Sequence, residues 1–193
     1  SRIVISGAGA AGIAVANFLI DAGANEIVPV DSSGILRTSD ENKYKAQLAE
    51  KTLASQEEGN LEDAMENADV FIGLSAPGIV SKDMVGSMAE DPIVFALANP
   101  EPEILPPDAK EAGAFITATG RSDFDNQVNN SVAFPGIFRG LLDARASDVT
   151  EDMKIAASDA IKDFIEPSKS KIVPVTLDDE LALEIAEAVK NEV

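Results

Sequence analysis

Residues 2–23 read RIVISGAGAAGIAVANFLIDAG, and a change of rhythm inside them decides the fold. Arg2 to Ser6 is a short β-branched run of the kind that forms a buried strand. It runs without a break into Gly7-Ala8-Gly9-Ala10-Ala11-Gly12. The segment beyond carries apolar residues at helical spacing through Ile13, Ala16, Phe18 and Ile20, and Gly23 is a good residue to end a helix. Residues 26–30, EIVPV, resume a strand that ends on Asp31. Strand, glycine turn, helix and strand within about thirty residues make a βαβ unit.

The alternation continues outward. Helical patterns at 43–52 and 60–68 lead into a strand at 69–75, and Ser81 is placed to cap a helix over 81–89. Residues 92–98, PIVFALA, have no polar face, as expected of a strand covered on both sides in a parallel sheet. A proline-started helix at 106–113 and a strand at 114–120 follow. Three helical patterns, at 129–145, 150–165 and 178–192, close the chain. No repeat, low-complexity tract or linker interrupts it. The expectation is one α/β domain over residues 1–193, a doubly wound, mostly parallel sheet of Rossmann type with C-terminal helices.

Composition narrows the function. The chain has 193 residues, 45% of them hydrophobic, with a formal charge of −19 and a sequence pI near 4.2. A nucleic-acid binder needs a basic face, so nucleic acid is excluded as a partner, and an anionic membrane would repel the chain. With no cysteine and no histidine, thiolate and imidazole chemistry are both unavailable within it. No apolar run is long enough to span a bilayer, and residues 1–20 lack a basic lead and a cleavage site, so a cytoplasmic location is expected. The first strand begins at residue 2, as though a preceding segment had been removed.

Gly7, Gly9 and Gly12 form G-x-G-x-x-G between a strand and a helix, where each glycine has a task. Gly7 permits the tight turn, Gly9 has no Cβ to obstruct a pyrophosphate, and Gly12 lets the helix lie close to the strand. With Ala10 and Ala11, these residues place free N–H groups and a partial positive charge at the helix start, where phosphates bind. Asp31 lies 19 residues beyond Gly12, where a carboxylate accepts hydrogen bonds from the adenosine ribose and repels a 2′-phosphate. NAD is therefore expected, with NADP as the alternative that Ser32, Ser33 and Arg37 could admit. Ser75-Ala76-Pro77-Gly78 and Ala98-Asn99-Pro100 follow two further strands, at the sheet edge where open α/β folds bind ligands. Asn99 fits two readings equally, an amide aimed at the nicotinamide ribose or substrate, and an asparagine that starts a turn.

Residues 122–140, SDFDNQVNNSVAFPGIFRG, crowd four side-chain amides, Asn126, Gln127, Asn129 and Asn130, before an apolar segment. A buried amide without partners costs about 1–3 kcal/mol, so the cluster is either loop structure or a polar ligand site. Taken with ISGAGAAGIA and VFALANPEPEI, the run ATGRSDFDNQVNNSVAFPGIFRGLLDARA resembles the C-terminal, NAD-binding half of bacterial and archaeal malic enzymes, over about residues 2–165.

That resemblance implies the function. The family oxidises (S)-malate to oxaloacetate with NAD⁺, and metal-assisted loss of CO₂ then gives pyruvate. It implies substrate-facing roles for Asn99, Asn129 and Asn130, with no catalytic residue and no metal ligand in this chain. The lysine, the tyrosine and the acidic ligands for Mg or Mn belong to segments before the glycine motif. The chain would then be a cofactor-binding half, inactive by itself, of an enzyme expected to be a homo-oligomer. Two alternatives are an oxaloacetate decarboxylase of the same family and a non-catalytic NAD-sensing domain. Asp125 departs from the proline usual in the family, and Arg121 and Arg139 are candidate carboxylate clamps.

Overall fold

The computed structural model describes residues 1–174 and 176–193, which form two compact units, Ser1–Asp125 and Asn126–Val193. The first holds the sheet. Its strands are β1 (Arg2–Ser6), β2 (Glu26–Asp31), β3 (Gly34–Ile35), β4 (Val70–Gly73), β5 (Ile93–Ala96) and β6 (Ile116–Thr119). They lie in the order β3-β2-β1-β4-β5-β6, and every pairing is parallel except β2 with β3. This is the expected α/β class. The antiparallel β3 has no signature in the sequence, because two residues carry no periodicity.

Helices α1 (Ala10–Asp21), α2 (Lys43–Lys51), α3 (Leu61–Met65), α4 (Lys82–Gly86) and α5 (Pro106–Glu111) alternate with the strands. Apolar strand residues make the core, with Val4, Val28 and Phe71 fully buried. Ser81 caps α4 as expected, its hydroxyl accepting from the Met84 N–H at 3.1 Å. A capping box starts α3, where Asn60 and Asp63 each accept the other's backbone N–H. Arg2 ties the start of β1 to the stretch just before α3 by a two-pronged ion pair with Glu57, both contacts at 2.7 Å.

The register brings one row of residues level across the sheet. Ser6 stands opposite Val30 on one side and Gly73 on the other, Gly73 opposite Ala96, and Ala96 opposite Thr119. The turns beyond Ser6, Gly73 and Ala96 therefore leave the same edge. Strand order reverses between β1 and β4, and a crevice opens at such a point in doubly wound folds.

The second unit is helical, with α6 (Phe134–Ala144), α7 (Glu151–Asp163) and α8 (Asp179–Lys190) around Val132, Met153, Leu181, Ile185 and Val189. The helix expected from residue 129 is divided. Asn129 caps a 3₁₀ turn over Asn130–Val132, and α6 begins afterwards with a proline in its first turn. Gly136 and Gly140 let α6 lie against α8. A Cβ on Gly136 would stand 2.5 Å from the Ile185 Cβ, and one on Gly140 2.6 Å from the Ala186 carbonyl oxygen. Phe134, Phe138 and Leu142, four residues apart on α6, are instead 54%, 49% and 72% exposed. Among the described residues, no helix is long and apolar enough to cross a membrane.

Candidate functional site

The glycine turn lies at the strand-order switch between β1 and β4. Gly7 has a φ of +105°, which side chains rarely tolerate, and a Cβ there would lie 2.3 Å from the Leu74 carbonyl oxygen. The turns after β1 and β4 thus meet backbone to backbone at the strand-order switch. Gly12 is equally constrained, since a Cβ would lie 1.7 Å from the Gly7 carbonyl oxygen. Gly9 differs, with nothing within 4 Å of where its Cβ would be. It caps α1 without a side-chain hydrogen bond, and the first helical bond runs from the Ile13 N–H to the Gly9 carbonyl. The N–H groups of Ala10, Ala11 and Gly12 therefore have no partner within the helix, next to the open position at Gly9. Phosphate oxygens fit such a cradle.

Asp31 ends β2 on this edge. One carboxylate oxygen accepts the Ser33 N–H at 2.8 Å and the Ser33 hydroxyl at 2.6 Å. The other meets the Lys45 ammonium from α2 at 2.5 Å. Burial works against the charge, but Lys45 and Ser33 outweigh it and hold the carboxyl below its ordinary value. The same pairing raises Lys45. Along the chain Arg37 is the nearer cation, yet it is Lys45 that pairs with Asp31. No local signal marks it, because helix packing alone brings position 45 to the end of β2.

Ser75 and Ala76 follow β4 and are exposed. The Ser75 N–H donates to Glu103 Oε1 at 2.9 Å, and its hydroxyl lies 3.0 Å from that of Ser6. Asn99 is exposed after β5, joined to Pro100 by a cis peptide bond, and its side chain makes no hydrogen bond among the described residues. Arg121 is committed to Asp123 by contacts of 2.9 and 2.6 Å and stacks over Phe124. Arg139 pairs one helical turn along with Asp143.

In the second unit the crowded amides divide their work. Asn126 is buried and fastens a loop, its Nδ2 donating to the Lys169 carbonyl at 2.8 Å and its Oδ1 accepting the Ile172 N–H at 3.0 Å. It lines a cavity of about 270 Å³ with Gln127, Ser170, Lys171 and Pro174. Asn129 spends its oxygen on the Ser131 N–H, while Asn130 is exposed. Part of the cluster is thus loop structure. Among the described residues no three acidic side chains gather as a metal site.

The family described as "Malic enzyme, NAD binding domain" matches residues 1–193. The chain belongs to that family. It is 49% identical over 194 residues to a bifunctional malic/malolactic enzyme of Bacillus subtilis, covering 97% of this chain and 47% of the relative. Over 169 residues it is 50% identical to a probable NADP-dependent malic enzyme of Rickettsia prowazekii, covering 84% of this chain and 22% of that one. The crystal structure of an NAD-dependent malic enzyme from Thermotoga maritima superposes with a TM-score of 0.94 at 44% identity, over 98% of this chain and 51% of the other. The chain spans less than half of either malic enzyme relative compared by sequence, and about half of the solved structure.

Proposed function

We propose that the whole protein carrying this chain oxidises (S)-malate with NAD⁺ and releases CO₂ to leave pyruvate, and that this chain supplies the dinucleotide site. The observation that carries the reading is the open face at Gly9, beside an α1 start whose first N–H groups have no partner within the helix, flanked by two glycines that admit no side chain. In this reading those N–H groups bind the pyrophosphate and Asp31 accepts from the adenosine ribose. Ser75, Ala76 and Asn99 border the nicotinamide end, and Asn99, Asn129 and Asn130 hold the substrate. Amides suit a hydroxy-dicarboxylate because they bind carboxylate and hydroxyl without titrating. When bound, nicotinamide accepts the hydride. Lewis-acid chemistry belongs to a metal held outside this chain.

Use of NADP is a second reading, favoured by the Lys45 ammonium beside Asp31. It offsets the charge that would otherwise repel a 2′-phosphate. Self-association and a cytoplasmic location belong to the same proposal for the whole protein, and sedimentation with cell fractionation tests them.

The deciding experiment follows malate-dependent NAD⁺ reduction by the whole protein beside direct NAD⁺ titration. Asn130→Ala is expected to cripple malate use while sparing NAD⁺ affinity. Decarboxylation of oxaloacetate without NAD⁺ reduction would instead support the decarboxylase. A protein that binds NAD⁺, turns over neither acid and tolerates Asn99→Ala with Asn130→Ala would be a sensing domain.

A further inference from the structure

Glu103 is a fully buried acid in a chain whose other acids are largely exposed, and none of the ion pairs among the described residues involves it. Its oxygens are divided between two turns. Oε1 accepts the Ser75 N–H at 2.9 Å and the Ser75 hydroxyl at 3.1 Å, from the turn after β4. Oε2 accepts the Ala98 N–H at 3.0 Å, from the turn after β5 and one residue before Asn99. The Ser75 hydroxyl also meets that of Ser6, which extends the connection to the end of β1.

The surrounding backbone is arranged for this one side chain. Gly73 leaves room for the carboxyl group, since a Cβ there would stand 2.3 Å from Glu103 Cδ. The segment carrying Glu103 is itself stitched to the β4 turn, with the Gly78 N–H donating to the Pro102 carbonyl and the Val80 N–H to that of Glu103, both at 3.1 Å. Burying an acid is costly, and three donors offset that cost here only while both turns stay in place.

We propose that Glu103 is a positioning residue that holds the turns after β4 and β5 as one rigid edge and thereby sets the aim of Asn99. It touches neither cofactor nor substrate. The inference rests on the reading of Asn99 and Ser75 as the ligand-facing edge. Glutamine discriminates well, because it keeps the size of the side chain but accepts with one oxygen only. Two donors on Ser75 outcompete one on Ala98 for that oxygen, so the new NH₂ group faces the Ala98 N–H and the β5 turn is released.

The experiment compares Glu103→Gln and Asn99→Ala in the whole protein, with amide hydrogen exchange followed at Ser75 and Ala98. Glu103→Gln is expected to lower kcat about ten- to a hundred-fold, the scale of a misplaced reacting group. NAD⁺ affinity should stay within about threefold, because the glycine turn and Asp31 are untouched. Protection should be lost at Ala98 and kept at Ser75. Unchanged kcat, or kcat and NAD⁺ affinity lost together, overturns the proposal. Exchange at Ala98 is read even without malate turnover, so failure of the malate reading and failure of the Glu103 assignment are distinguishable. If Glu103→Gln does not fold, exchange in the unmodified protein still decides, because an Ala98 amide that exchanges as fast as the exposed turns refutes the brace.

Discussion

Gly9 and Gly12 stand three positions apart in one motif, yet replacing each by alanine should do opposite things. At Gly12 the new Cβ would lie 1.7 Å from the Gly7 carbonyl oxygen, and backbone cannot yield without lifting α1 off β1. Overpacking of this kind costs about 1–3 kcal/mol even where side chains can shift, so a loss at or above the top of that range is expected. At Gly9 nothing lies within 4 Å, and φ of −82° suits any residue. Only the weaker N-cap preference of alanine is lost, about 1 kcal/mol or less. That amounts to a fall in Tm of no more than about 4 °C for a chain of this size. The added methyl would nevertheless occupy the phosphate cradle, where a clash of about 1–3 kcal/mol lowers NAD⁺ affinity roughly 5- to 150-fold. Calorimetric titration with NAD⁺, run beside thermal denaturation, separates the two effects. Wild-type affinity in a folded Gly9→Ala protein would refute the placement of the pyrophosphate. Equal destabilisation by both substitutions would refute the steric reasoning.

Lys45→Ala should sharpen discrimination against NADP⁺ by roughly two- to fivefold, the scale of a partly exposed ion pair, whereas Asp31→Ala should collapse the preference for NAD⁺; paired titrations read both. Gly136→Ala should destabilise the second unit by about 1–2 kcal/mol, because contact with Ile185 outweighs the helix-propensity gain of about 1 kcal/mol, and denaturant unfolding measures it. Glu57 is held below its ordinary value, chiefly by the Arg2 hydrogen bonds and against the effect of burial. Its stabilising contribution is therefore present above the ordinary carboxylate range and lost as pH falls through the lowered value. Glu57→Gln should flatten that acid limb of the stability profile, and an unchanged limb would discount the pair.

The parallel sheet was legible because both-sided burial leaves apolar runs such as PIVFALA and because the glycine turn marks a change of period. Helix starts were legible where capping is local, as at Ser81. The start of α6 was not, since the polar residues Asn129 to Ser131 carry no apolar spacing to separate a capped 3₁₀ turn from a helix, and α6 starts only at Phe134 with Pro135 in its first turn. Lys45 and Glu103 were hidden for a different reason. In a chain with 34 acidic residues and 15 basic ones, a buried acid or an inward lysine looks like its solvated neighbours, and only long-range packing tells them apart. Asn126 shows the intermediate case, a residue conspicuous in the amide cluster whose partners lie more than forty positions away.

The exposed stripe of α6 has a consequence for how this chain behaves in a test tube. Three large apolar side chains in a row are an adhesive surface, and at neutral pH a formal charge of −19 opposes the approach of two copies of the chain taken by itself. That protection is colloidal rather than structural. It thins as salt shortens the screening length to about 10 Å at 0.1 M, and it vanishes as the solution approaches pH 4.2. Acidified or concentrated samples should therefore turn cloudy while still folded, and replacing Phe138 and Leu142 by charged residues should keep them clear.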